Sequence, residues 1–130
     1  MKIKISEATN IQLDWLVAKC EGYVEEGVYG EPKIIDGCVH LHYCDVVLSS
    51  DFKPTTDWSD GGPIIERECI QTLAYGAASE HPKNPEYWEA VLDMKTESAV
   101  GYGPTPLIAA MRCFCTSKLG DEAEIPEELT

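Results

Sequence analysis

The stretch from Gly103 to Gly120 constrains the fold of this chain more than any other. Thr105 is a natural N-cap, Pro106 suits the first helical position where an N–H is not needed, and Gly120 is placed to stop the helix. Between them Leu107, Ala110, Met111 and Phe114 return to one face, and an apolar stripe of that kind is stable only when another element covers it. Lys118 near the end complements the helix dipole. A second helix opens at Thr9, where Gln12 completes a capping box and Leu13, Leu16, Val17 and Cys20 follow at the i, i+3, i+4, i+7 spacing. Gly22 reads as the residue that ends it.

Strand patterns surround these helices. Residues 2–5 alternate charged and apolar side chains. Residues 37–47 are β-rich, with Val39, Leu41 and Tyr43 on one side and His40 and His42 on the other. Segments 70–75 and 86–93 read as further strands, while 94–103 fits neither pattern and 22–37 and 77–85 read as loops. Residues 49–63 are the least regular, and 64–68 either starts a short helix with Pro63 in its first turn or runs on toward a strand. The expectation is an α+β fold, one domain over residues 1–120 with two main helices and about four strands. A loosely held acidic tail over 121–130 follows. At 130 residues and 44% apolar composition the chain can fill one core.

The formal net charge is −13, and Asp121, Glu122, Glu124, Glu127 and Glu128 crowd the last ten residues with no base among them. Such a surface repels a phosphate backbone, so direct nucleic-acid binding is not expected. No apolar run approaches the roughly 20 residues of a membrane span. Two lysines precede no continuous apolar stretch at the N-terminus, so the expectation is a protein without a secretion signal, in the cytosol. Cys20, Cys38, Cys44, Cys69, Cys113 and Cys115 then read as reduced core or half-buried thiols. Cys113 and Cys115 lie two apart in a helix, off a shared face, and His40-x-His42 lacks a third ligand nearby, so no metal site and no cofactor are expected.

Catalytic signatures are missing: there is no phosphate loop ending in Lys-Ser/Thr, no nucleophile elbow and no His-Glu-x-x-His. The candidate recognition segment is Thr56-Asp57-Trp58-Ser59 with Gly61 and Gly62, followed by Glu66 and Arg67. An indole face beside glycines, with several hydroxyl and carboxylate groups, is the mixture a small-molecule site needs. The plainer alternative makes Trp58 a core anchor and Asp57 a turn cap. Glu66 and Arg67 have their own plain reading as a solvated ion pair. Thr105, at the start of the last helix, is a second candidate because helix N-termini suit anions. Arg67 and Arg112 are the chain's two arginines and each could fork onto an anion. Asp14 and Trp15, off the main stripe of the first helix, are positioned to dock the irregular loop.

Three blocks, residues 9–22 (TNIQLDWLVAKCEG), 56–68 (TDWSDGGPIIERE) and 103–129 (GPTPLIAAMRCFCTSKLGDEAEIPEEL), resemble the signature blocks of the NinX-like family of small lambdoid phage and prophage proteins. The resemblance implies an accessory protein acting in the host cytoplasm and implies no activity. The leading expectation is a non-enzymatic binding module that sequesters a small cytosolic ligand, such as a nucleotide-derived host-defence signal. One alternative is an acidic inhibitor or adaptor that mimics nucleic acid toward a basic host protein. Another is a small hydrolase of a nucleotide signal working through Asp57 or Glu66. A homo-oligomer is compatible with the sequence but not legible in it.

Overall fold

A computed structural model describes residues 1–23, 32–43, 46–74, 88–92 and 99–130. Within them lie three α-helices and eight short strands in an α+β arrangement. The helices are α1 (Asn10–Ala18), α2 (Trp58–Glu68) and α3 (Pro106–Leu119). The strands are β1 (Lys2–Lys4), β2 (Lys33–Ile35), β3 (Cys38–Tyr43), β4 (Val46–Ser49), β5 (Gln71–Ala74), β6 (Trp88–Leu92), β7 (Ala99–Gly103) and β8 (Glu122–Glu124). They form three antiparallel sheets, β1-β8, β2-β3-β4 and β5-β6-β7.

α3 begins and ends where its sequence predicts. Thr105 Oγ1 accepts from Ile108 N at 3.2 Å, and Gly120, with φ 87°, stops the helix. Its burial exceeds one stripe: Leu107 to Met111 and Cys113 to Cys115 are all sequestered, so the helix is walled on several sides. One wall is β7. A Cβ on Gly101 would meet the Ala109 carbonyl oxygen at 2.3 Å and the Cys113 nitrogen at 2.4 Å. Glycine at 101 therefore lets strand backbone lie directly on helix backbone. The Cys113 thiol donates to Ala99 O at 3.2 Å across this seam, and burial pushes its pKa up to about 11.

α1 departs from its predicted end. Rather than stopping before Gly22, the chain widens into one π turn over Lys19–Tyr23. The turn carries Glu21, which takes the Arg67 guanidinium of α2 in a two-pronged bond. The Thr9/Gln12 pair is in place, with Gln12 Oε1 accepting from Thr9 N at 3.0 Å. The Gln12 amide also donates to Leu129 O at 2.8 Å, tying the start of the helix to the far end of the chain.

The middle of the chain holds more regular structure than its sequence suggests. Residues 33–35, read as loop, form β2 and turn back into β3 through Asp36 and Gly37, both at positive φ (52° and 77°). An Asp-Gly pair at positive φ is a hairpin turn that matches strand twist. The single strand expected over 37–47 is β3 and β4, with a register shift between Leu41 and His42. The irregular segment hides α2, which starts at Trp58 and runs through Gly61, Gly62 and Pro63. Gly61 is the tight point of this helix, since a Cβ there would stand 2.5 Å from the Pro54 carbonyl oxygen and 2.6 Å from Leu107 Cδ2. α2 ends with Cys69 in the left-handed region (φ 55°), while Ile70 N reaches back to Ile65 O at 3.0 Å.

The acidic C-terminus, expected to be loosely held, is paired along its first half. β8 runs antiparallel to β1, Ile125 N donates to Met1 O at 2.9 Å, and Ala123 and Ile125 are buried. The acids of β8 face cations across the ladder, Glu124 with the N-terminal ammonium at 3.2 Å and Glu122 with Lys2 at 3.9 Å. Alternating Glu122-Ala123-Glu124-Ile125 is a period-two pattern with one buried face, and that outweighs the charge run. No helix among the described residues is long and apolar enough to cross a membrane.

Two substitutions test this arrangement. Gly101→Ala should cost roughly 3 kcal/mol or abolish folding, since overpacking against backbone has no flexible atom to yield. Ile125→Ala should cost about 2–4 kcal/mol in urea denaturation, as for other buried isoleucines. An unchanged midpoint for the second would show that the tail is not part of the folded unit.

Candidate functional site

Trp58 occupies the first turn of α2 and is 55% exposed, so it is no core anchor. It lines a cavity of about 260 Å³ together with Asn10, Thr55, Thr56, Thr105, Pro106, Leu107 and Ile108. Asn10, Trp58 and Pro106 are the first residues of α1, α2 and α3. The N-terminal ends of all three helices therefore converge on one cavity. The two regions singled out in the sequence, around Trp58 and around Thr105, share it.

Each helix N-terminus carries about half a positive charge, and this attracts anions unless an acid already sits there. α2 is compensated. Asp57 caps it, accepting from Ser59 N at 2.9 Å and from Ser59 Oγ at 2.6 Å, and those bonds hold its carboxyl below the usual range. α1 and α3 have no acid in their first turns. Their ends supply the unbalanced positive potential. The cavity wall adds a hydroxyl at Thr56, the capping hydroxyl of Thr105, an amide at Asn10 and the indole face.

Asp57 and Ser59 thus spend their polar groups on each other and on the helix cap. Gly61 is a packing residue against Pro54 and Leu107 rather than an approach for a ligand. Gly62 borders open space, with Trp58 Cε3 at 3.9 Å from where its Cβ would lie. Glu66 and Arg67 stand two turns farther along α2, roughly 12 Å from Trp58 at 1.5 Å per residue. Arg67 pairs with Glu21 and Glu68, and Lys118 of α3 reaches Glu68 at 3.4 Å. Both cations lie 5.8 Å from the Phe114 ring centroid. The Glu21 carboxylate raises the Arg67 pKa further above its ordinary range. Arg67 therefore clamps the π turn, α2 and α3 together at the end of α2 away from the cavity.

Sequence reasoning pointed to the start of α3 through Thr105 but missed Asn10, Thr55, Leu107 and Ile108 as cavity wall. The nearest signal was Asp14-Trp15, and both residues do dock neighbouring segments. Trp15 Nε1 donates to Pro32 O at 3.0 Å, and Asp14 Oδ1 accepts from Thr55 N at 2.9 Å. Thr55 Oγ1 is buried and has no hydrogen-bond partner within 3.5 Å among the described residues, with Asp14 the nearby acid it acts on. Among the described residues no three His, Cys, Asp or Glu side chains gather as a metal site. The side chain of His42, half of the candidate pair, lies outside the described residues.

Asp14 is a buried carboxyl, 5% exposed, and burial pushes its pKa from 3.8 to about 6 against the pull of the Thr55 N–H. The folded value is the higher one, so the folded state holds the proton more tightly. Its contribution to stability is fully present below pH 3.8 and is lost as pH rises through about 6. The loss amounts to roughly 2–3 kcal/mol at about 1.4 kcal/mol per pKa unit. Asp14→Asn keeps the acceptor for Thr55 N and can offer an amide N–H to Thr55 Oγ1. Urea denaturation across this pH range should show the native chain losing stability relative to the variant as pH rises. Parallel profiles would remove Asp14 from the account.

The chain matches no curated protein. The family described as Bacteriophage P22, NinX, matches residues 4–118, a span that takes in α1, α2 and both three-stranded sheets. The chain belongs to the NinX family of bacteriophage P22.

Proposed function

We propose that this protein is a non-catalytic binding module that sequesters a small anionic ligand at the cavity beside Trp58. The observation that carries the reading is the meeting of three helix N-termini, two of them without acids, around a half-exposed indole. That combination favours a molecule with a negative group and a flat ring, and a nucleotide-derived signal of the host fits both the chemistry and the phage family. A cavity of about 260 Å³ falls just below the range of roughly 300–1,000 Å³ typical of enclosed drug-sized sites. It takes one group of the ligand, and the rest lies over Trp58.

Turnover has less support. The residues lining the cavity include no carboxylate, imidazole, thiol or amine, so a bound molecule meets hydrogen-bonding groups and a ring but no general acid or base. The acidic exterior supports a second reading, an adaptor for a basic host protein, because Asp121, Glu122, Glu124, Glu127 and Glu128 are all exposed.

Calorimetry of the full chain with AMP, ADP-ribose and adenosine separates these readings. The phosphorylated compounds should bind and adenosine should not. Trp58→Ala, at a position with little to lose in packing, should weaken binding about tenfold or more, given the roughly 1–3 kcal/mol that a stacked base contributes. No heat with any phosphorylated compound would reject the proposal. Salt-sensitive capture of a host protein, lost on neutralising the C-terminal acids and unaffected by Trp58→Ala, would favour the adaptor instead.

A further inference from the structure

A second and larger cavity, about 820 Å³, opens alongside β7, between β1 and the C-terminal half of α3. Arg112 and Thr116 form its α3 side, and Lys4 and Ser6 line it next to Asp121 and Glu122, with Lys4 opposite Glu122 across the β1–β8 ladder. β7 supplies the remaining wall. Gly101 and Gly103 turn inward against α3, so the alternation of the strand sets Val100 and Tyr102 outward, 37% and 49% exposed.

Arg112 is the unusual group here. Its Nη1 donates to Tyr102 O at 2.7 Å and its Nη2 to Ala8 O at 3.1 Å, while Nε is buried with no partner among the described residues. Burial alone lowers its pKa. In a chain with 23 acidic side chains and 10 basic ones, it makes no ion pair among the described residues. Asp121 and Glu122 line the same cavity without neutralising it, and Glu122 is directed to Lys2 instead. Arg67 shows the contrast, since it is saturated by two glutamates. Lys4 likewise makes no ion pair among the described residues. A half-buried guanidinium held by two neutral carbonyls keeps its charge available, and an oxyanion is the partner that best matches its planar donors.

We infer that this cavity is a second ligand site, independent of the Trp58 cavity, and that it takes an organic phosphate of mononucleotide size. The phosphate lies against Arg112 and Lys4. A planar or apolar body lies along Val100 and Tyr102, and Asp121 and Glu122, where the strand paired with Lys4 begins, accept from donor groups beside the phosphate. The volume is far more than an inorganic ion needs and lies within the range of small-molecule sites. The two cations without an ion pair among the described residues, the exposed ring and the two acceptors supply the three chemistries that such a molecule carries.

Heteronuclear NMR titration of the full chain tests this with AMP, adenosine and inorganic phosphate as probes, in native protein and in Trp58→Ala. AMP should shift the amides of Gly101, Tyr102 and Gly103 and the Arg112 Nε–H, equally in both proteins. Adenosine should leave them in place, and phosphate should bind more weakly than AMP. Lys4→Gln and Tyr102→Ala alter exposed side chains and keep the fold; each should raise the AMP dissociation constant several-fold, about tenfold where a charged hydrogen bond is lost. Arg112→Lys keeps the charge but not the fork, and it should weaken AMP while leaving the amide spectrum of the core unchanged. Shifts confined to the Trp58 cavity and lost in Trp58→Ala would overturn the inference. So would equal binding of adenosine and AMP, phosphate binding as tightly as AMP, or no effect of either exposed-residue variant.

Discussion

The contact on which the molecule depends is the backbone-to-backbone seating of β7 on α3. A Cβ at position 101 would stand only 2.3 Å from the Ala109 carbonyl oxygen and 2.4 Å from the Cys113 nitrogen, so any side chain there would lever the strand away. The close seat does two things at once. It lets α3 serve as a shared wall for the β5-β6-β7 sheet and for α1, and it forces the outward residues of β7, Val100 and Tyr102, into solvent. An exposed aromatic beside a helix whose Arg112 makes no ion pair among the described residues follows from that geometry.

The helices are fixed against one another by different forces at their two ends. At the far end of α2, Arg67 joins Glu21, Glu68 and, through Glu68, Lys118, all over the Phe114 ring. Isolated exposed ion pairs contribute little, but a shared network that also covers a buried ring holds a geometry better than its members singly. At the near end, the buried Asp14 carboxylate holds Thr55 by its N–H and so pins the segment that leads into α2. Between them these two clamps bring the three helix starts to one cavity. The charge distribution follows the same division, with acids concentrated at the C-terminus and the α1 and α3 starts left bare.

The local chemistry of α1 and α3 was legible because caps, proline and apolar spacing all agreed. α2 was not legible, because Gly61, Gly62 and Pro63 are poor helix formers and read as a turn. Tertiary contact overrides that preference: Gly61 is required where the helix presses on Pro54 and Leu107, and the Pro63 ring is left at the surface. β2 was overlooked although its Asp36-Gly37 turn is a hairpin signal, since a three-residue strand has too little pattern to register. The C-terminal strand was overlooked because its acids dominate the eye, while the buried alternation of Ala123 and Ile125 involves only two side chains.

Of the candidate site residues, the sequence alone could supply the types: an indole, hydroxyls, and a capped helix start at Thr105. It also determined two of the three helices, the strands at 71–74 and 88–92, and the acidic balance, because each depends on residues near one another in the chain. Only the tertiary structure decided which of those residues meet. It separated Arg67 and Glu66 from Trp58, made Asp57 a cap that Ser59 donates to, and left Arg112 beside Tyr102 without a counter-ion among the described residues. Those outcomes depend on contacts between residues tens of positions apart, and no local pattern carries information about a partner that folding alone brings within reach.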